Sequence, residues 1–347
     1  YAALSVAEQV DAYSRTRQTH TEGALFDDIA GVLGNFVRGL SGRKLKIEQG
    51  DGIYTDSEKI VLPAITSRLA SRDDNFQLAK ATVALLWAQT RYGTLRVDIN
   101  AACAGFPHPD RALQQFNALE TLRLTACIGR ELPGLHREIL RLMGILGDAL
   151  PAVWQPLADR LGTADARVED SLSLLDTAYH LPDFQAWCHQ GELRPDAVAG
   201  ARAARIEKEK ARLRIKLTEL LDEFTSRPPS EKPASPEKPD IDVTPNNENG
   251  ALDFEITLDG APLVPPEDMK QLLTSVYLDF GEIPPEYLTP AGDGEYDPKL
   301  VFDQPEDPDS VWHGTYHEKG AELYPEWDHG RQHYRKNWCV MREKTVT

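Results

Sequence analysis

Apolar residues recur at helical spacing through most of the first 190 or so positions of the chain. Leu78, Leu85 and Trp87 belong to a run that begins at Asp73 and meets Gly93, a residue type that commonly ends helices. This run predicts a buried helix of about three to four turns. The same period, interrupted by prolines and glycines, predicts further helices over 110–128, 135–146, 152–161 and 165–179.

Short runs of alternating apolar and polar residues precede these helices. In residues 43–62 the runs are separated by GDG and TDS, which predicts a small β-sheet in the form of a meander or hairpin. Strands and helices together predict a mainly α (α+β) fold, with a helix-rich domain over residues 1–195 that includes a small early β meander. We expect an acidic, proline-rich segment with short strands to follow it.

The character of the chain changes at residue 196. Residues 196–225 are dense in charge and keep only a narrow apolar stripe, which predicts one long, largely solvated helix. The stripe consists of Ile206, Leu213, Leu217, Leu220 and Phe224. It is too short for a sustained coiled coil, so the helix is expected to pack either on the preceding domain or against another chain.

The remaining part of the chain is predicted to hold little regular structure. Residues 226–250 are rich in Pro, Ser and charge, so burial cannot offset the entropy of ordering them, and they predict a flexible linker. Residues 251–347 predict an acidic segment that is irregular apart from short strands. Within it, LDFEITLD at 252–259 alternates as a half-buried strand does, and 267–280 has only local helical potential.

The negative charge is concentrated in one part of the sequence. Residues 225–310 contain 20 Asp and Glu against 5 Lys and Arg, a net charge of −15 out of −17 for the whole chain. No basic stripe is available to neutralise phosphates, so the sequence argues against nucleic acid or an anionic membrane as a partner. No apolar stretch approaches the roughly 18 to 20 residues that a membrane-spanning helix needs.

Sequence motifs of common enzyme classes do not occur: GxxxxGK[ST], GxGxxG, GxSxG and HExxH are all missing. We therefore predict no catalytic, cofactor-binding or metal-binding residue in this chain. His313 with His317, and His329 with His333, stand four apart, but their glycine- and aromatic-rich surroundings fit a helix poorly. We interpret them as surface or hydrogen-bonding histidines, with metal ligation as the alternative.

Four cysteines and one charged pair complete the candidate chemistry. The wide spacing of the cysteines indicates reduced structural thiols, not a zinc site; they are Cys103, Cys127, Cys188 and Cys339. Glu120 and Arg123 lie three apart on a predicted helix, which is typical of an intrahelical ion pair on the surface. The alternative is an acid held beside a guanidinium for chemistry.

The segment from Ala321 to Lys344, AELYPEWDHGRQHYRKNWCVMREK, resembles the CbbO/NorD proteins. In these proteins a YPEWD string, followed by a Tyr and a Trp-Cys pair, leads towards a C-terminal von Willebrand A domain. The matching residues are Tyr324, Pro325, Glu326, Trp327, Asp328, Tyr334, Trp338 and Cys339. Looser matches to the same family are TDSEKIVLP, DNFQLAKATVALLWAQTRYGTL and FNALETLRLTACIGRELPGL, all within 55–135.

The resemblance implies a non-catalytic adaptor subunit of a hexameric, CbbQ-like AAA+ ATPase of the MoxR class. In the CbbO branch the client is inhibited Rubisco, from which the complex releases tight-binding sugar phosphates. In the NorD branch the complex serves the maturation of nitric oxide reductase. The LLWAQTRYGT stretch and the acidic insert favour the CbbO branch, and with it a cytoplasmic, carboxysome-associated location.

The family's von Willebrand A domain has no counterpart in these residues, and we expect it to follow them. ATP and Mg²⁺ would belong to the partner ATPase, and a divalent metal to that following domain. The nearest string to the metal-binding DxSxS of such domains is VEDSLSL at 168–174, whose offsets are wrong. We interpret it as a helix start capped by Asp165.

Alternatives remain open at this stage. The aromatic residues of the YPEWD region predict a plug that pins the tail to the helical domain, with a partner-binding patch as the second interpretation. The acidic segment could be a passive spacer. A hydrolase on a degenerate zinc-peptidase scaffold, whose helix from Leu85 to Thr90 has no histidine, is the competing class of function.

Overall fold

The computed structural model describes residues 22–40, 42–183, 185–225, 241–246, 253–258, 260–288, 321–328 and 333–342, the last two ranges through their backbone. The described chain is mainly helical with small sheets, which confirms the predicted fold class. Its helices are α1 (Phe26–Arg38), α2 (Arg72–Arg91), α3 (Ile99–Ala104), α4 (Pro109–Glu131), α5 (Pro133–Leu146), α6 (Gln155–Leu161), α7 (Val168–Tyr179), α8 (Pro195–Thr225) and α9 (Glu267–Phe280). Its strands are β1 (Ala24–Leu25), β2 (Lys46–Gln49), β3 (Tyr54–Thr55), β4 (Lys59–Leu62), β5 (Ile65–Thr66), β6 (Ile241–Asn246), β7 (Asp253–Leu258), β8 (Ala261–Leu263), β9 (Ala321–Asp328) and β10 (His333–Arg342).

The apolar period predicted helix α2 correctly but underestimated its length. Ser71 caps the helix by accepting a hydrogen bond from the Asp74 backbone N–H, and Gly93 follows its end with a positive φ of 83°. The helix has 20 residues, so the predicted three to four turns were too few. Gln89, which continues the spacing of Leu78 and Leu85, is buried, and so is Asn75 in the first turn, a polar residue that the apolar pattern does not mark.

Helix α4 lies at the centre of the first hydrophobic core. It packs against α2, α5, α6 and α7, and residues on all its sides are buried. Phe116, Leu119 and Ile128 are fully enclosed there, together with Trp87 and Trp154. This first core joins the elements from β1 to residue 193.

The early sheet has the order β2–β4–β3. Strand β4 pairs parallel with β2 and antiparallel with β3, so the chain crosses from one side of β4 to the other before the central strand forms. Ile60, Val61 and Leu62 of β4 are all buried. A strand with neighbours on both edges and both faces covered is expected to be continuously apolar.

A second core forms around α8, and it corrects the predicted domain map. Strand β6 lies inside the range predicted to be a flexible linker, 226–250, and pairs antiparallel with β7. Pro245 is tolerated because β6 is an edge strand, where a missing backbone N–H costs little. Residues 226–240 and 247–250 lie outside the described residues.

The acidic segment also contributes to this second core. Phe254 and Ile256 of β7 face inward, as the alternation predicted, and Leu213 and Leu217 of α8 cover them. Helix α9 adds a buried face that includes Met269, Leu273 and Val276. Residues 253–258 and 260–288 are therefore folded, because their apolar side chains share a core with Leu213, Leu217 and Leu220 of α8.

Helix α7 begins differently from the prediction. The Asp170 carboxylate accepts a 2.8 Å hydrogen bond from the Arg167 backbone N–H. A residue of the first turn of α7 therefore caps the start of the helix. Asp165 was predicted to be the cap, but it lies 3.6 Å from Arg160 in an ion pair.

Among the described residues, no helix is long and apolar enough to cross a membrane.

Candidate functional site

The residues of the YPEWD region lie on one antiparallel strand pair. Tyr324 to Asp328 belong to β9, whereas Tyr334, Trp338 and Cys339 belong to β10. Trp327 is in register with Tyr334, and Tyr324 with Cys339. Trp338 falls in an irregular stretch of the pairing between Arg335 and Cys339. Backbone pairing thus brings together parts of the motif that are up to 15 positions apart.

Several predictions for this tail fall outside what the structure describes. The packing of the β9 and β10 side chains, and with it the predicted aromatic plug, lies outside the described residues. His313, His317 and His329 also lie outside the described residues. His333 begins strand β10, in agreement with the prediction that the surroundings of this histidine do not suit a helix.

Glu120 and Arg123 form the predicted ion pair, but the predicted surface location is wrong. Their side chains are 1% and 2% exposed, and Arg123 donates to both carboxylate oxygens at 2.7 and 2.6 Å. Ser171 also donates to Glu120, at 2.6 Å, and Thr94 donates a further short hydrogen bond. Burial opposes the charge on Arg123, but Glu120 outweighs it and raises the arginine's pKa.

This cluster links three elements through one carboxylate. Thr94 comes from the turn after α2, the ion pair from α4 and Ser171 from α7. Four donor groups already occupy the two oxygens of Glu120, so this carboxylate serves to hold the three elements together. The cluster fixes the positions of the three elements relative to one another. The apolar period of α4 could not show that Glu120 and Arg123 point inward, because residues on all sides of this helix are buried.

A second buried polar group was not singled out from the sequence. His189 is fully enclosed, with Nε2 3.2 Å from the Thr125 hydroxyl and Nδ1 3.9 Å from the Cys188 sulfur. Burial lowers the pKa of His189 to about 4, against the opposing influence of Asp148. Burial, followed by Asp148, raises the pKa of Cys188 to about 12.

This Cys–His contact therefore lacks the properties of a catalytic dyad. A thiol with a raised pKa stays protonated and is a weak nucleophile at neutral pH. Burial also raises the pKa of Cys103 and Cys127. These three cysteines are buried and free, as the structural interpretation predicted, while the Cys339 side chain lies outside the described residues.

Between the first and second cores lies a seam held by buried charges. Asp279 of α9 accepts from Arg205 of α8 at 2.9, 3.0 and 3.1 Å, and lies 3.0 Å from Arg43. Arg43 also donates to the hydroxyl and carbonyl oxygens of Ser275. The Arg205 and Asp279 side chains are 6% and 7% exposed, so the seam excludes most solvent.

Next to this seam is a cleft of about 760 Å³. Its walls come from the ends of α2, α4 and α9, the turn at 94–96 and the start of α7. The charged residues that line it are Arg91, Arg96, Arg123, Arg130, Arg167, Glu131, Glu169 and Glu282. Arg123 is buried in its ion pair with Glu120 and Arg96 is half-buried, whereas Arg130, Arg167 and the three glutamates are exposed.

Tyr92 contributes a polar side chain to the same cleft. Its hydroxyl is buried and has no hydrogen-bond partner within 3.5 Å among the described residues. Burial, and then the nearby Glu131, raise the pKa of this phenol. Tyr92 also lies under the guanidinium of Arg91, 5.5 Å from its ring centre.

Within the described ranges, no three His, Cys, Asp or Glu side chains are grouped so as to hold a metal ion. Catalytic machinery of the zinc-peptidase type would need ligands on the helix after the early sheet, and α2 contains no histidine. No protein family, no curated protein and no solved structure matches the chain.

Proposed function

We propose that the protein is a non-catalytic adaptor subunit that links a hexameric MoxR-class AAA+ ATPase to a client enzyme. The proposed client is inhibited Rubisco, in a complex of the CbbQO type. The observation that carries the proposal is the register of β9 and β10, in which Trp327 stands opposite Tyr334 and Tyr324 opposite Cys339.

The register supports an adaptor because it unites the residues on which the CbbO/NorD resemblance rests. Two Tyr and two Trp residues on one short ribbon offer large amphipathic side chains, the kind that dominate binding energy at protein interfaces. A two-stranded ribbon is marginally stable alone, so docking against another surface would stabilise it.

The buried charges of the folded part support a role as a scaffold. Glu120 and Asp279 each bind several donors from different elements, which fixes the position of those elements instead of leaving a group free to react. The Asp279 contacts tie α8 and α9 to the first core.

The test is reconstitution of the full chain, together with any domain that follows it, with a MoxR-class ATPase and sugar-phosphate-inhibited Rubisco. We expect a stable complex, faster ATP hydrolysis in the presence of inhibited Rubisco, and recovery of carboxylation. Trp327→Ala should abolish the stimulation while leaving the thermal unfolding of the helical part unchanged. Val264→Ala, which truncates a side chain that is 68% exposed elsewhere, is the matched control and should stimulate normally.

Three results would decide against parts of this proposal. Absence of both complex and stimulation would refute the adaptor function. Stimulation by immature nitric oxide reductase and not by Rubisco would move the protein to the NorD branch. Stoichiometric zinc in the purified chain, with hydrolase activity that a chelator removes, would favour the competing enzyme class.

A further inference from the structure

The cleft between the two cores has features of a binding site that the adaptor function does not use. The Arg96 side chain, which lines this cleft, lies beside two glycines. Gly93 and Gly281 have positive φ values of 83° and 80°, and a Cβ at these positions would lie 3.1 and 3.4 Å from the Arg96 side chain. A Cβ at Gly93 would therefore crowd Arg96, whereas at Gly281 it would make an ordinary contact; the positive φ favours glycine at both positions.

The Arg96 guanidinium is positioned by neutral groups. Its Nε donates to the Leu278 carbonyl oxygen at 3.0 Å, and its Cζ lies 5.5 Å from the centre of the Tyr277 ring. No carboxylate lies within ion-pair distance of it among the described residues, and burial lowers its pKa. An arginine that is already ordered loses little side-chain entropy when it binds an anion.

Two further arginines line the cleft, together with the carboxylates of Glu131, Glu169 and Glu282. Arg130 donates to the Gly162 carbonyl oxygen at 3.0 Å and to the Cys127 sulfur at 3.2 Å, and it forms no ion pair with a described carboxylate. Arg167, at the start of α7, has no ion pair with any residue that the structure describes. The three arginines come from three separate elements and line one space.

The size and walls of the cleft restrict what could bind. About 760 Å³ lies within the range of small-molecule sites, roughly 300–1,000 Å³. Tyr277 and Phe280 of α9 provide an aromatic wall. Several guanidinium groups from different directions suit a phosphoryl group, whose oxygens are distributed tetrahedrally, better than a planar carboxylate that one arginine satisfies.

We infer that this cleft binds a phosphate-bearing small molecule, with the phosphoryl group at Arg96, Arg130 and Arg167 and the remainder against Tyr277 and Phe280. The ligand would contact residues of the first core and of α9 at once. Because it binds both sides of the seam, its binding stabilises their association. The inference does not depend on the adaptor function.

The experiment is calorimetric titration of the full chain with pyrophosphate, in parallel with thermal unfolding. We expect saturable binding and a rise in the midpoint of unfolding that grows with pyrophosphate concentration. Arg167→Gln removes an exposed side chain without a described partner, and should weaken binding about tenfold or more without loss of stability. Arg130→Gln should act in the same direction.

Arg137→Gln is the matched control, because Arg137 is an exposed arginine of α5 that does not line the cleft. It should leave the affinity unchanged. The inference is overturned if pyrophosphate does not bind, or if Arg167→Gln and Arg130→Gln bind it as the unsubstituted chain does. It is equally overturned if citrate at the same ionic strength binds as tightly, since that result indicates a general anion site.

Discussion

Arg205 and Asp279 are 74 positions apart in the chain and form a bidentate, almost fully buried ion pair, with N–O distances of 2.9 to 3.1 Å. The pair joins the long helix α8 to the last helix of the second core, and Arg43 of the first core contacts the same carboxylate. One aspartate therefore holds together three parts of the molecule.

Replacing this aspartate should have a large effect. Asp279→Asn leaves two buried guanidinium groups without their main counter-charge, so we expect a loss of about 3–5 kcal/mol in the free energy of unfolding. Chemical denaturation measures it. Asp268→Asn removes a carboxylate of the same helix that is 52% exposed and pairs with Lys216; its effect should stay below about 1 kcal/mol. Equal effects of the two substitutions would contradict the buried-seam interpretation.

The Glu120–Arg123 pair allows a comparison at constant spacing. Glu120→Gln should destabilise the chain by about 3–5 kcal/mol, because Arg123 remains buried and charged. Glu138 and Arg141 have the same separation of three on α5, but their side chains are 42% and 41% exposed. Glu138→Gln should leave stability close to unchanged. Guanidinium denaturation of both variants is the measurement, and a small effect at Glu120 would show that the pair is solvated.

Protonation of His189 should make the fold sensitive to acid. Its pKa is about 4 in the folded chain and near 6.5 when unfolded, so the unfolded chain binds the proton more tightly. The stability contributed by the neutral imidazole is complete above pH 6.5 and is lost as pH falls towards 4. The loss from this group amounts to about 3 kcal/mol.

The measurement for His189 is the free energy of unfolding between pH 7 and 4. His189→Gln should flatten the profile in this window, although the substitution itself lowers stability at neutral pH. His180→Gln is the control, because the His180 side chain is 73% exposed. A profile that persists unchanged in His189→Gln would contradict the assignment of the acid sensitivity to His189.

Two glycines should respond in opposite directions to the same change. A Cβ at Gly191 would lie 2.8 Å from both the Ile53 carbonyl oxygen and a methyl group of Leu86, so Gly191→Ala should cost about 1–3 kcal/mol. Gly200, within α8, has nothing within 4 Å of such a Cβ. Gly200→Ala should stabilise the chain by up to about 1 kcal/mol. Thermal unfolding of both variants tests the pair, and destabilisation by Gly200→Ala would refute the open space there.

The sequence by itself determined the elements whose signal is local. The helical period around Leu85 and the stop at Gly93 located α2, although not its number of turns, and the alternation of Phe254 and Ile256 located β7. Pro133 correctly separated α4 from α5. Such features depend on hydrogen bonds and side-chain spacing within a few residues, which a single sequence displays directly.

Tertiary structure alone decided which of these elements face one another. Strand β6 exists because β7 pairs with it, and Leu213, Leu217 and Leu220 of α8 are buried because they share a core with α9 and β7. Spacing showed that Glu120 could reach Arg123, but not that Ser171 and Thr94 would enclose them. Burial, ion pairing across 74 positions and the convergence of arginines on one cleft are long-range properties, because they arise only when distant segments exclude water together.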